Sequence, residues 1–134
     1  MKINSSELIS NLISITQSNI QKAQGFKALD DTVLNSKPSA ASWSILECLE
    51  HLNRYDTFYL PAIQAHLDKE NQQPSHTFRS GIAGNYLVKA VIPGKDSKKI
   101  KTFAEMNPAG SKLSSILIDT FLQGQQTLLH QLET

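Results

Sequence analysis

The chain is poor in the residues that mark disulfide-bonded or membrane-embedded proteins. Its 134 residues include a single cysteine, Cys48, which excludes an internal disulfide framework. No apolar run approaches the roughly 20 residues that a membrane-spanning helix requires. The first residues have neither the basic start nor the apolar segment of a signal peptide. We therefore expect a globular protein of the cytoplasm with no membrane partner, folded as one domain over residues 1–134.

Aromatic residues are also few, and the net charge is only +1. The charge is uneven, because residues 76–112 hold seven Lys or Arg and two Asp or Glu. Such a cluster can attract phosphates or an acidic partner, although a solvated connection is the simpler interpretation. No aromatic-rich pattern for base stacking accompanies it. Nucleic-acid binding through this segment is therefore the weakest of the functional hypotheses, and the role of the basic segment 79–101 stays open.

Hydrophobic periodicity predicts an all-α fold with three long helices. Their predicted ranges are about 5–24, 45–69 and 111–132, with shorter helical stretches within 26–34 and 81–92. Asn4 and Ser111 are the expected caps of the first and third helices. Pro61 lies inside the second pattern and should kink that helix or end it.

The second helix has an unusually wide apolar arc. An unpaired charge at Asp56, within this arc, would be expensive to bury. The predicted core face comprises Ile45, Leu49, Leu52, Tyr59 and Ile63, and a second stripe comprises His51, Tyr55, Phe58 and Ala62. The predicted solvent face comprises Glu47, Glu50, Arg54 and Thr57.

All three long helices have apolar arcs wider than the usual stripe of about 100°. Three such helices cannot cover one another completely, and exposed apolar surface promotes association. The surface left over should follow Ile118, Leu122 and Leu129 in particular. We expect a further helix to cover it, from the same protein or from a second copy in a homodimer.

The start of the second helix carries the clearest local signals. Ser44 followed by Glu47 has the spacing of a capping box, and Trp43 is placed to pack on Cys48 as a hydrophobic staple. His51 follows two turns into the helix, at the edge of its apolar face.

The residues Trp43-Ser44-x-x-Glu47-x-x-x-His51-Leu52, followed by Tyr59-Leu60-Pro61-Ala62-Ile63, resemble the DinB-like superfamily. The resemblance implies an up-up-down-down four-helix bundle with a long crossover between helices two and three. It also implies a divalent metal, such as zinc or nickel, held by three histidines. One of these matches His51, and the other two form a His-x-x-x-His pair on helix four. Characterised relatives include thiol-dependent transferases and isomerases.

The sequence departs from that family pattern at the metal ligands. It contains no His-x-x-x-His pair, and its other histidines are His66, His76 and His130. The chain should therefore supply three helices of the bundle and lack the fourth. We expect a C-terminally incomplete domain, or a fold that a partner chain completes.

The sequence supports two hypotheses for the function. In the first, the protein is a metal-dependent transferase or hydrolase that acts on a small molecule, with His51 as one ligand. In the second, it is a non-catalytic helical interaction module that self-associates through its apolar faces.

The alternative role of His51 is a hydrogen-bonded histidine at the bundle boundary. Glu47 is more simply a capping residue than a partner of His51, and Cys48 is expected to be an inert core cysteine.

Overall fold

The structure is a computed structural model that describes residues 1–69, 73–92, 94 and 100–134. The described chain is mostly helical, as predicted. None of its helices is long and apolar enough to cross a membrane. The elements are β1 (Lys2–Asn4), α1 (Ser5–Phe26), α2 (Asp31–Leu34), α3 (Ile45–Leu67), β2 (Thr77–Arg79), α4 (Ile82–Val91), a 3-10 turn (Ala104–Met106) and α5 (Ile116–Glu133).

The N-terminal end of α1 is fixed in two ways. The Asn4 side chain accepts hydrogen bonds from the backbone N–H groups of Ser6 and Glu7, at 2.9 and 3.3 Å. β1 pairs antiparallel with β2, with Lys2 opposite Arg79. The sequence did not predict these strands, because three residues are too few to show an alternating pattern.

The capping box at the start of α3 is confirmed. The Glu47 N–H donates to Ser44 Oγ at 3.1 Å, and the Ser44 N–H donates to Glu47 Oε2 at 2.8 Å. The helix then continues through Pro61 to Leu67, so Pro61 does not end it. Pro61 and Thr57 both lie on exposed helix surface, where solvent can satisfy the carbonyl that loses its donor.

The third long helix begins five residues later than predicted, at Ile116 rather than at Ser111. The preceding chain turns at Gly110, whose φ of 81° is in the left-handed region that favours glycine. Pro108 is buried in the same turn. Ser111 therefore lies in the turn, and Ser115 occupies the cap position without a side-chain hydrogen bond.

α5 lies between the other two long helices and packs against both. An ion pair of 2.6 Å between Lys27 and Asp119 joins the end of α1 to the start of α5, so these helices are antiparallel. Asn53 bonds the Leu117 carbonyl, and Gln131 bonds the Leu60 carbonyl, so α3 and α5 run in the same direction. The order is thus up-down-down, which corrects the predicted up-up start. The long connection 68–115 returns the chain so that α5 can run parallel to α3.

The apolar core lies at one end of the bundle, which we call the closed end. It includes Ile118, which was predicted to be left uncovered and is only 1% exposed. Its buried members are Ala23, Leu34, Leu46, Leu49, Ile118 and Phe121. They come from the second half of α1, from α2, and from the first halves of α3 and α5.

The face of α3 that packs against α5 is rotated about the helix axis by about a quarter turn from the predicted core face. Its buried residues are Leu46, Glu47, Leu49 and Asn53, whereas Leu52, Tyr59 and Ile63 are exposed. The predicted solvent position of Glu47 is wrong, because Lys37 reaches its carboxylate at 2.7 Å and the side chain is buried. Periodicity located the apolar arc but not the part of it that α5 covers.

Asp56 lies half-buried on this face, against the backbone of α5. A Cβ atom on Gly124 would be only 2.6 Å from Asp56 Oδ2, so glycine permits the close approach. Burial raises the pKa of the Asp56 carboxyl, and a hydrogen bond with Gln125 opposes the rise only in part. Asp56 Oδ2 and the neighbouring Asn53 Oδ1 are buried without a hydrogen-bond partner in the described chain.

We predict that Ser44→Ala lowers the free energy of unfolding by about 1 kcal/mol, because the Glu47 N–H loses its acceptor. Urea unfolding followed by circular dichroism measures the change. Ser115→Ala is the matched control, since its cap hydroxyl makes no such bond, and it should change stability by less than about 0.5 kcal/mol. Equal effects of the two substitutions would contradict the capping assignment.

We predict that the effect of Gly124→Ala depends on Asp56. In an Asp56→Ala background, alanine at 124 should stabilise by about 1 kcal/mol through its higher helix propensity. In the wild type, the new methyl group meets the carboxylate, so the gain should shrink or reverse. Chemical unfolding of the four chains of this double-mutant cycle gives the coupling, and additive effects would show that the contact is absent.

Candidate functional site

His51 lies in the second turn of α3, partly exposed and held by two aromatic neighbours. The ring centroid of Trp43 is 4.9 Å away, and Tyr55 presents its edge at the same distance. Trp43 therefore packs on His51, and it also lines a hollow together with Cys48, its predicted contact. The only tryptophan of the chain thus reports directly on the environment of this histidine.

A backbone hydrogen bond sets the tautomer of His51. Its Nδ1 lies 2.8 Å from the carbonyl oxygen of Met106. A carbonyl oxygen can only accept, so Nδ1 carries the proton and Nε2 of the neutral ring keeps its lone pair. The described residues leave Nε2 free to accept a proton or a hydrogen bond.

Arg54, one turn further along α3, binds the same backbone segment. Its guanidinium donates to the carbonyl oxygens of Glu105 at 3.0 Å and Asn107 at 2.8 Å. It also pairs with Glu50 at 3.0 Å. His51 and Arg54 together hold the 3-10 turn against α3, so His51 has a structural role whatever else it does.

A cleft of about 550 Å³ opens beside His51. This volume is typical of sites for small molecules, and the walls are mostly apolar, as in such sites. Lys101 contributes a positive charge, and Tyr55 and Tyr86 contribute hydroxyl groups. The lining residues are His51, Tyr55, Tyr86, Leu87, Ala90, Val91, Ile92, Ile100, Lys101, Thr102 and Phe103.

The residues around His51 do not form the three-ligand metal centre that the family resemblance implies. Within the described ranges, no group of three or more His, Cys, Asp or Glu side chains could hold a metal ion. His66, His76 and His130 are exposed elsewhere. A catalytic zinc site uses three protein ligands, and His51 supplies one.

Cys48 is exposed, which corrects the prediction of a core cysteine. It borders a second hollow of about 540 Å³ that Trp43, Phe26 and Leu49 also line. Partial desolvation raises the pKa of the thiol, and the charge of Glu47 raises it further. The thiol is therefore accessible but not activated as a thiolate nucleophile.

Glu47 is not available as an acid–base partner for His51. Its carboxylate is engaged by the Ser44 N–H and the Lys37 ammonium. Burial alone would raise the pKa of this carboxyl, but the hydrogen bonds from Lys37 and Ser44 outweigh it and leave the pKa lowered. The pattern Glu47-x-x-x-His51 is thus explained by helix capping.

The sequence singled out His51 but missed the opposite wall of the cleft. Tyr86, Leu87 and Val91 come from α4, which was predicted only as a short helix. Lys101 belongs to the basic segment 79–101, whose described members Arg79, Lys89 and Lys101 are all exposed, as is Lys112 beyond it. Lys95, Lys98 and Lys99 lie outside the described residues. Only the combination of an apolar helix with adjacent basic residues hinted at this wall.

Comparisons with known proteins identify no relative of this chain. No family model matches it, and no curated protein or solved structure is significantly similar to it. A functional assignment therefore rests on the geometry around His51.

We predict that iodoacetamide alkylates Cys48 in the folded protein, because the thiol is exposed. Since its pKa is raised, the rate should climb with pH through a midpoint above that of an unperturbed cysteine. Mass spectrometry follows the reaction, with the urea-unfolded chain as control. Protection of the thiol until the protein unfolds would contradict the structure.

Proposed function

We propose that the protein binds a small, largely apolar acid in the cleft beside His51 and acts on it as a transferase or hydrolase. The observation that carries this proposal is the hydrogen bond from His51 Nδ1 to the Met106 carbonyl, which leaves Nε2 as a base at a cleft of suitable size. The apolar walls would contact the body of the ligand. The Lys101 ammonium would attract its acidic group.

His51 supplies the proton transfer in this proposal. Nε2 takes the proton from a thiol or a water molecule as that nucleophile attacks an electrophilic carbon of the bound molecule. The imidazolium then returns the proton to the leaving group, so the ring is neutral again at the end. General acid–base catalysis of this kind contributes about 10²- to 10⁴-fold in rate.

Membership of the DinB-like superfamily is part of the proposal. Its support is the Ser44–Glu47 capping box one turn before His51, together with the long connection that precedes α5. The up-down-down order of the long helices departs from the order that the resemblance implies. A metal centre of the family type would need ligands that the described residues do not supply. No step of the proposed proton transfer therefore runs through a metal.

Decanoate is a suitable binding probe because it is apolar, carries a carboxylate and does not fluoresce. We predict that it changes the fluorescence of Trp43 saturably and binds more tightly than decanol. Lys101→Gln should weaken decanoate binding about fivefold, as expected for a partly exposed charge contact worth roughly 1 kcal/mol. Lys112→Gln is the matched control, since Lys112 is exposed and lies outside the cleft.

The same prediction is tested for catalysis with mono-4-nitrophenyl sebacate, an apolar ester that keeps a free carboxylate for Lys101. His51→Asn retains a donor for the Met106 carbonyl but lacks Nε2, so it should fold normally and lose about 10²-fold in hydrolysis. His51→Ala loses both the donor to the Met106 carbonyl and Nε2. Its lower melting temperature measures the structural role of His51. Equal affinity for decanoate and decanol, or unchanged hydrolysis in His51→Asn, would refute the proposed function.

A further inference from the structure

The bundle has an open end opposite its closed end. Because α1 is antiparallel to α5, the first half of α1 lies beside the second half of α5, and the second half of α3 lies there too. At the open end, polar residues are buried and large apolar residues are exposed. The buried residues are the polar Thr16, Gln125 and Gln131. The exposed ones are Ile9, Leu12 and Ile15 of α1 with Phe58, Tyr59, Ile63 and Leu67 of α3, a set that we call the open-end patch.

The patch is exposed because, among the described residues, α5 is the only long helix that packs against both α1 and α3. In the described chain, α1 and α3 have few contacts with each other. Each helix turns one side to α5 and leaves these apolar side chains exposed. On α1 the uncovered row is aliphatic, and Ile15 is 56% exposed. On α3 it is aromatic at its centre, where Tyr59 contacts Phe58 edge-on at 5.1 Å and Phe58 is 62% exposed.

We propose that a second copy of the chain covers the open-end patch, with the aliphatic row of each protomer packed on the aromatic row of its partner. A two-fold axis requires this reciprocity, because contact i–j is then repeated as j–i. The two rows differ in chemistry and belong to the same chain, so two copies related by a two-fold axis can each supply the row that the other packs against. This proposal is independent of the cleft and of the proposed function.

The exposed area is large enough for such an interface. The chain has an accessible surface of 10163 Å², whereas a compact chain of 14.8 kDa is expected to have about 7,000 Å². The surplus of about 3,000 Å² is spread over all the exposed parts of the chain, and the roughly 800 Å² that each partner buries in a standard interface is a fraction of it.

The charge pattern favours a second copy over a charged partner. Residues 8–21 of α1 and 57–67 of α3 contain no Asp, Glu, Lys or Arg. Depletion of charged residues is the compositional mark of an interface core. A second copy brings an equally uncharged surface, so no charge has to be desolvated. The net charge of +1 gives little repulsion between copies.

The experiment measures the solution mass of the purified chain by sedimentation equilibrium, from low to high micromolar concentration. The wild type should be a dimer of twice 14.8 kDa. Ile15→Lys and Ile63→Glu should each weaken the dimer at least about tenfold, because a charge is buried without a partner. Ile116→Lys is the matched control, since Ile116 is 67% exposed but lies at the closed end, and it should remain dimeric.

Mixing the two charged variants tests the pairing of the rows. In a heterodimer of Ile15→Lys with Ile63→Glu, one of the two contacts becomes a Lys–Glu pair and the other is wild type. The mixture should therefore recover the dimer. Circular dichroism checks folding, and Ile15→Ser and Ile63→Ser replace any variant that fails to fold. A monomeric wild type, or a dimer that survives both charged substitutions, would overturn the proposal.

Discussion

The structure depends on one packing constraint, which is that α5 is the one long helix, among the described residues, that packs against both α1 and α3. Its first half completes an apolar core with residues such as Ile118 and Phe121, while its second half meets its neighbours through Gln125 and Gln131. Because α1 and α3 have little direct contact, each retains an uncovered side. The closed end and the open-end patch both result from this arrangement.

Local interactions of α3 connect the fold to the candidate site. The capping box of Ser44 and Glu47 fixes where the helix begins, and Lys37 compensates the buried carboxylate. The start of the helix in turn places His51 two turns later, where the Met106 carbonyl sets its tautomer. The chemistry proposed for His51 therefore depends on interactions that are structural in origin.

Features that depend on residues close together in the chain could be predicted from the sequence. They include the capping box, the three long helices and the position of His51 on α3. Features that depend on contacts between distant residues could not be predicted. The pattern of α3 located its apolar arc, but only the position of α5 decides that Leu49 is buried and Tyr59 exposed. The cleft wall from α4 and the strand pair β1–β2 also join segments that are far apart in the chain.

The polar contacts between α3 and α5 have a consequence for how the two helices can slide. Gln131 donates to the Leu60 carbonyl and to Gln64, and Asn53 donates to the Leu117 carbonyl. If α5 slipped by one turn, about 5.4 Å, these amides would lose their hydrogen-bond partners. Aliphatic side chains could instead exchange neighbours at small cost. Amides in place of leucines thus lock one register between parallel helices that apolar packing alone would leave free to shift.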